Sequence, residues 1–574
     1  MTNQPKRWQL RAVVFVLLLS FLLPALAVAA TGDIDEQQRR AQAEADREEQ
    51  RMRARQESEE RRRRQQQPRV VLDEQPYERG DTTLPVETNS FHIDKIRLTG
   101  PDARHFAWLE PQIEPYEGRR IGLEGIALIA KRLTNSLVKR GYITTRVQIP
   151  AQNISGGEVR LEIVAGRIGR FVYSEQSAVV PWQNTFPTRP GAILNLRLLE
   201  QGLEQLKRLS SQDADMQIVP SEAVGYSDIV LTIRQGARQN ISWSIDDTGT
   251  KATGMIQQSV TYSIDNLANA SDLFHISFNK DLEHKGDQRG SRVNSIYYSI
   301  PWQKSTITIS ANRSHYLQTI VPSGFDPYQT TGNSNSLDIR VSQLLHRDHN
   351  SKTNLEYGII KRHSRSYIND AEIIVQRKNT TASQLALTHR HYEQNGIWDF
   401  KLTQRQGRPW FNAQADVKGQ DMPTSRYKMW LVDIQYQSAA FDKRGTSYRG
   451  AIHGQYTDDL VYASEYLGIG SRYTVRGFDG ENTLSAERGW YWRNELVLPR
   501  PNAAMEIYWA LDAGSVYGPA TEYLSGRFLA GTALGIRGGR KLQYDLFIGR
   551  PLAAPKYYQQ KSTVGFHLIY PYRY

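Results

Sequence analysis

Apolar and polar positions alternate with a period of two through the C-terminal part of the chain, from about Gly236 onward. Ile241, Trp243 and Ile245 alternate with Ser242 and Ser244, and Phe274, Ile276 and Phe278 with His275, Ser277 and Asn279. Trp430, Val432, Ile434 and Tyr436 oppose Leu431, Asp433 and Gln435; Val564, Phe566, Leu568 and Tyr570 oppose Thr563, Gly565, His567 and Ile569. Successive side chains of a strand point to opposite faces, so each segment predicts a strand with one apolar face. A soluble sandwich alternates as well, but here the pattern persists over residues 237–574, beyond the ordinary size of one sandwich. At about 21 residues per strand and its share of connections, that length holds roughly 16 strands, the range in which a membrane barrel keeps an aqueous lumen.

Ahead of the strands the apolar period changes to that of a helix. In residues 91–166, Phe91 to Leu98 alternates as a strand, and Ile126, Ile129, Leu133 and Leu137 share one face of a helix from Ile121 to Lys139, which Gly141 ends. Tyr142 to Ile149 and Val159 to Val164 return to strand character. Residues 167–236 repeat the order. A strand runs through Ile168, Phe171 and Tyr173, a helix carries Leu196, Leu199, Leu203, Leu206 and Leu209 in its stripe, and two strands lie around Met216 to Val219 and Ile229 to Ile233. Both units are near the lower size limit for independent folding. No catalytic group recurs between them, which predicts binding or structural work.

Residues 1–30 read as a secretory signal: Lys6, Arg7 and Arg11 precede the apolar stretch Ala12 to Leu23, and Ala27-Val28-Ala29 supplies a small-residue cleavage site. Residues 31–67 predict a charged helix. From Asp33 to Gln67 Gly and Pro are absent, and acids meet arginines at helical spacing, as in Glu44 with Arg47, Glu48 with Arg51 and Glu49 with Arg53. Lacking an apolar stripe, that helix suits a polar, water-filled channel or open solvent. Residues 68–90, with Pro68, Pro76, Gly80 and Pro85, predict a linker that lets the helix move independently.

Composition changes the picture only after this division. Across 574 residues, 72 Lys and Arg outweigh 60 Asp and Glu, cysteine is absent and the mean hydropathy is −0.57. After residue 30 no apolar run approaches the roughly 18 to 20 residues of a spanning helix, which excludes a helical transporter. In a barrel the lipid-facing and lumen-facing side chains cancel in the average, so low hydropathy leaves an exported membrane barrel open. Missing cysteines remove disulfides, thiolate metal sites and cysteine nucleophiles together.

Candidate chemistry gathers near the C-terminus. Tyr473 to Gly480 reads Tyr-Thr-Val-Arg-Gly-Phe-Asp-Gly and precedes a strand in which Tyr491, Arg493 and Glu495 share one face. In the next strand, apolar Met505, Ile507, Trp509 and Leu511 place Glu506, Tyr508, Ala510 and Asp512 on the lumen side. A lumen-facing carboxylate needs a partner or water, and Arg476, beside Gly477 on a loop able to fold inward, is the candidate. Val475-Arg476-Gly477-Phe478 resembles the loop 6 signature of Omp85-superfamily barrels. Asp512-Ala513-Gly514 resembles the strand motif that holds this arginine, although Ala510 is smaller than that motif leads one to expect. The preceding units resemble POTRA domains, on Gly141 to Pro150 and Gly157 to Arg167. Ile245 to Gly249 and Tyr298 to Trp302 are similar to barrel segments of the TpsB branch, the outer-membrane transporters of two-partner secretion. The resemblance covers about residues 91–574.

The resemblance implies a mainly β fold: a 16-stranded antiparallel transmembrane barrel over residues 237–574, two α/β POTRA-like domains over 91–166 and 167–236, and a lumen plugged by the N-terminal helix and the inward loop. It further implies an outer-membrane pore of a Gram-negative bacterium. Its periplasmic POTRA domains capture a large TpsA-type partner, an adhesin, haemolysin or contact-dependent toxin, for release at the cell surface. Contact with outer-membrane lipid and insertion by the barrel-assembly machinery follow from the same likeness. An enzyme finds little support: no Gly-x-Ser-x-Gly occurs, Gly445 to Gly450 misses that spacing by one residue, and no Walker A motif is present. His389 and His391 share a strand face without a third ligand, so neither metal nor cofactor is expected. The arginines are scattered or paired with acids, which argues against a nucleic-acid partner. The competing reading is a barrel of the same superfamily that inserts other outer-membrane proteins.

Overall fold

The computed structural model describes residues 45–65, 68–72, 83–283, 288–321, 326–416, 422–500, 504–556, 558 and 561–573. The signal peptide expected at 1–30, residues 31–44 of the charged helix and residues 73–82 of the linker lie outside them. Helix α1 covers residues 45–65.

In the first α/β unit the strand expected from Phe91 to Leu98 is broken. Phe91–Ile93 pairs with Arg119–Ile121, whereas Lys95–Thr99 runs parallel to Glu158–Val164, which also pairs with Arg146–Gln148. The switch comes at Asp94, whose N–H, like that of Lys95, donates to Gly157 O. Helix α2 (Leu123–Lys139) buries Ile126, Ile129, Leu133 and Leu137 against Leu161 and Ile163. Gly122 offers no side-chain cap, and Glu87 supplies one from the linker. Its carboxylate accepts from the N–H groups of Gly122, Glu124 and Gly125 at 3.1, 2.9 and 2.8 Å.

The second unit sets Arg167–Tyr173 parallel to Tyr226–Gln235, with Gln212–Pro220 antiparallel on the other side. Helix α3 (Leu196–Lys207) is capped by Asn195 Oδ1, which accepts from Arg197 N at 2.9 Å, and buries Leu199, Leu203 and Leu206. Val70 of the linker sits in this same core, and Leu72 N donates to Glu200 Oε1 at 3.0 Å. Both described ends of the segment expected to swing freely are therefore docked, residues 68–72 on the second unit and Leu84 and Glu87 on the first. Val70, Leu72 and Leu84 were the apolar signal in that polar stretch.

The rest of the chain forms one closed barrel of 16 antiparallel strands. The first eight are β1 (Gln239–Asp246), β2 (Gln257–Asp265), β3 (Leu273–Asp281), β4 (Arg289–Trp302), β5 (Ser305–Ile320), β6 (Tyr328–Arg347), β7 (Ser351–Ile368) and β8 (Lys378–Glu393). They are followed by β9 (Gly396–Gly407), β10 (Lys428–Ser438), β11 (Ser447–Tyr456), β12 (Arg488–Arg500), β13 (Met505–Tyr517), β14 (Phe528–Gly538), β15 (Gln543–Ala553) and β16 (Thr563–Arg573). β16 closes on β1 from His567 opposite Asp246 to Arg573 opposite Asn240. Connections are short on the side where the α/β units enter β1, as at 303–304 and 394–395, and long on the other, as at 408–427 and 457–487. Alternation decides the two faces. Trp243, Leu387 and Trp509 are 46, 47 and 50% exposed on the outer wall, while Ser299, Thr403 and Asp512 are buried on the inner one. Such a girdle of bare apolar side chains is satisfied by lipid, and closure leaves no strand edge unpaired within it.

Candidate functional site

The connection 457–487 between β11 and β12 folds back into the lumen. A short hairpin, Leu467–Ile469 against Leu484–Ala486, brackets its tip. Val475, Phe478 and the hairpin side chains pack with Tyr491, Val516 and Leu529 of the wall. Gly477 at the turn has φ +105°, where a Cβ would be strained and would stand 2.6 Å from Arg550 O. The facing wall is cut away to match. A Cβ on Gly531 would lie 2.0 Å from Arg476 O, one on Gly549 2.9 Å from Gly477 Cα, and one on Gly514 3.1 Å from Val475 Cγ2. Adjacent strands β13, β14 and β15 thus each present a glycine to the loop.

This fit delivers Arg476 to Asp512, both almost fully buried. Arg476 Nε and Nη2 donate to Asp512 Oδ2 and Oδ1 at 2.6 and 2.8 Å, and Arg476 N donates to Oδ2 at 3.0 Å. The β12–β13 ladder opens to admit the carboxylate: pairing passes from Trp492 opposite Ala513 to Glu495 opposite Ala510, and between them Asn494 N donates to Asp512 Oδ1 at 3.1 Å. Arg476 Nη1 also donates to Glu495 Oε1. Glu495 in turn accepts from Arg537 Nη2 at 2.9 Å, Arg537 reaches Glu506, and Glu506 accepts from Arg449 at 3.1 Å. Acids and bases therefore alternate from Arg449 across the wall to the loop, an arrangement in which no charge lacks an opposite neighbour. Ala510, fully buried, packs with Val497, Tyr508, Ala533 and Phe547.

Helix α1 fills the lumen beside the loop. Arg51 Nη2 donates to Gly480 O at 2.7 Å and Gln50 Nε2 to Ala463 O at 2.7 Å, so the helix and the inward loop hold one another. Glu465 of the loop receives Arg53, Arg362 and Arg405. Further along, Glu60 meets Arg340 and Lys401, Arg61 lies 3.6 Å from Asp433, and Arg390 Nη2 donates to Arg64 O at 2.6 Å. At 1.5 Å rise the described helix is about 30 Å long, the thickness of a bilayer core. About 680 Å³ of open space remains beside it, lined among others by Glu60, Arg63, Ser244, Thr261, Asp338 and Lys352, room for tens of water molecules. A polar helix in a polar, wet channel, with Met52 as its partly buried apolar side chain beside Tyr316 and Phe478, gives up little hydrophobic burial on leaving.

At the mouth where the α/β units join the barrel, α3 lies across the strand ends. Gln205 Nε2 donates to Thr306 Oγ1 at 3.2 Å and Arg208 Nη1 to Ser299 Oγ at 2.9 Å. Arg347 and Lys352 converge on Glu204, and Arg347 also donates to Val70 O at 2.8 Å. Burial pushes the Glu204 carboxyl up, but Lys352 and Arg347 more than offset this and hold it below the usual glutamate value.

A family model described as "Haemolysin secretion/activation protein ShlB/FhaC/HecB" matches residues 225–538, a ShlB-type POTRA domain matches 91–166 and a POTRA domain 167–220. The chain belongs to the ShlB/FhaC/HecB family. It is 37% identical over 522 residues to the outer membrane transporter CdiB-2 of Burkholderia pseudomallei (strain 1026b), covering 87% of this chain and 89% of that protein. It is 27% identical over 379 residues to the hemolysin transporter protein ShlB of Serratia marcescens, 66% of each chain. Among solved structures, CdiB from Acinetobacter baumannii matches with a TM-score of 0.81 at 27% identity, over 91% of this chain and 99% of that one.

In this ShlB/FhaC/HecB member, Val475, Arg476, Gly477, Phe478, Asp512 and Gly514 converge on one contact region. His389 and His391 lie elsewhere, on the outer wall, with ring centroids 6.2 Å apart. Sequence reasoning missed Glu495 as a second acceptor for Arg476, Glu465 as an anchor for α1, and the wall glycines Gly531 and Gly549. The signal for the glycines was their recurrence at lumen-facing positions of neighbouring strands.

Proposed function

We propose that this chain is the outer-membrane pore of a two-partner secretion system: it captures a large exported TpsA-type protein at its POTRA units and passes it through the barrel to the cell surface. The observation that carries the reading is a closed barrel whose lumen holds a polar helix, with two POTRA units at the short-turn end. Transport rather than catalysis fits relatives named as transporters. The division into a signal (1–30), plug (31–67), linker (68–90), POTRA units (91–166 and 167–236) and barrel (237–574) is part of this proposal. So is the role of Arg476 and Asp512 as the lock of the inward loop, supported by their buried, multiply bonded contact. The client is an adhesin, haemolysin or contact-dependent toxin. The chain itself reaches the membrane through the barrel-assembly machinery and is surrounded there by outer-membrane lipid. The register joining β16 to β1 is continuous, which favours passage along the lumen over release of inserted barrels through an open seam. Deleting this gene in a strain whose large exported TpsA-type protein can be followed in the medium tests the reading. Client should accumulate in the periplasm and return to the medium on complementation; undiminished secretion would overturn it, as would loss of unrelated barrels from the outer membrane.

A further inference from the structure

Strand register sorts the outer wall of β3–β8 into rows of side chains. Nearest the POTRA side, Trp302 stands opposite Ser305, and Ile300, Ile307, Val341, Tyr357 and Leu385 then pair across the wall. Tyr298, Ile309, Ile339 and Ile359 form the next apolar row, and Ile296, Ala311 and Leu337 follow, ending at Lys361. Beyond them the character changes. Asn294, Arg313, Asn335, His363 and Asn379 pair in one row, and Lys280, Arg292, His315, Asn333 and Arg365 in the next. Leu317, Thr331 and Tyr367 lie past these.

Both polar rows share the parity of Ile296, Leu337 and Tyr357, which are 44, 39 and 45% exposed, so they face away from the lumen. Lys280, Arg292 and Arg313 are exposed and make no ion pair among the described residues. Neither the barrel ladder nor the plug uses them, and neutral side chains would serve the fold equally. Their height explains them. From Ser305 to His315 the strand advances ten residues. At about 3.3 Å per residue and a tilt of about 40°, that is about 25 Å, the height of an outer-membrane barrel's apolar band. The cations stand at its far edge, on the side away from the POTRA units, where the headgroups of the outer leaflet begin.

We propose that these two rows bind the phosphates of a phosphorylated glycolipid of the outer leaflet. Lys280, Arg292 and Arg313 supply the charge-assisted hydrogen bonds, while Arg365, at the end of its row, is already paired with Glu372 at 4.0 Å. Asn294, Asn333 and Asn335, set between the cations, supply neutral partners for sugar hydroxyls, and the acyl chains lie along Ile296, Ile309 and Leu337. Each row crosses five strands and, at about 4.8 Å per strand, extends about 20 Å, wider than a single phospholipid headgroup and matched to a sugar carrying more than one phosphate. The inference rests on the outer-membrane reading.

The test uses the full chain folded in detergent, titrated with lipid A (an acylated glucosamine disaccharide with two phosphates), with its dephosphorylated form and with phosphatidylglycerol, binding being read by native mass spectrometry. Wild type should prefer lipid A to both. The variant K280Q/R292Q/R313Q should bind lipid A about a hundredfold more weakly, roughly fivefold per cation removed, with binding of the dephosphorylated form unchanged. No preference for phosphate, or an unaffected variant, overturns the proposal, and equal binding of phosphatidylglycerol overturns the glycolipid assignment. A heat-modifiable band shows that the variant is folded, and R313Q alone replaces it if it is not. Failure of the wild-type chain to reach outer-membrane fractions would strike the outer-membrane reading; its arrival there without lipid A selectivity would strike this proposal alone.

Discussion

Removing Asp512 should undock the inward loop while leaving the barrel intact. Asp512 accepts from Arg476 N, Nε and Nη2 and from Asn494 N, and both partners of the ion pair are nearly inaccessible to water. Breaking a buried pair from one side costs about 3 to 5 kcal/mol because the surviving charge is stranded. Glu495 still touches Arg476, and the channel beside α1 is wet, so the lower end applies, about 3 kcal/mol or a factor of roughly 150 in the docking equilibrium constant. Asp512→Ala should expose residues 457–487 to protease added to whole cells and reduce client in the medium, with the heat-modifiable barrel band retained. Arg476→Ala should do the same, and the double variant should be no worse than either single, since the residues in contact form one interaction. Wild-type secretion with a protected loop in both singles would refute the lock. A double variant whose loss equals the sum of the singles would show that the two residues act independently.

Gly531→Ala should undock the loop as strongly as Asp512→Ala, because its Cβ would stand 2.0 Å from Arg476 O, whereas Gly514→Ala, with its closest contacts at 3.0 to 3.1 Å, should have a smaller effect; the same protease assay separates them. Deleting residues 45–65 should raise single-channel conductance in planar bilayers, and Glu60→Gln, which leaves Arg340 without that carboxylate, should give intermittent openings that become more frequent with salt; conductance equal to wild type would remove α1 as the plug. Glu204 is held below the usual glutamate range, so its contribution to α3 docking is complete above a pH of about 4.3 and is lost as pH falls through its lower folded value. With spin labels on cysteines placed at Gln205 and Thr306 in this cysteine-free chain, the dipolar coupling between the labels should weaken in that acid window, and Glu204→Gln should weaken it at pH 7 and flatten the pH profile.

How much of this was legible in the sequence depends on whether a contact obeys a period. Barrel strands and their faces were readable because alternation is local: Trp243 faces out and Ser244 in for a reason contained in two residues. Arg476 and Asp512 were readable as a pair because parity put the carboxylate inside and a glycine beside the arginine let its loop turn. Glu495 was not, although its parity was known. Two inward charges on adjacent strands meet only when the register is fixed, and the opening of the ladder at Asn494 is a consequence of the contact itself. The break at Asp94 has a local trace, since the apolar phase shifts from Phe91 and Ile93 to Ile96 and Leu98 across the two polar residues Asp94 and Lys95; the partners that draw the two halves apart, Arg119–Ile121 and Glu158–Val164, are not local. The linker was misjudged for the opposite reason. Prolines and polar residues predict freedom, but one valine suffices to anchor a chain when the receiving core belongs to a domain nearly 100 residues farther on, as Val70 does among Ile168, Leu199 and Leu203. Docking of that kind ties the exit of α1 to the α3 interface, since Arg347 binds both Glu204 and the Val70 carbonyl. Displacement of α3 from the barrel mouth therefore loosens the tether of the plug in the same event, a coupling carried by one shared residue, Arg347, rather than by any motif.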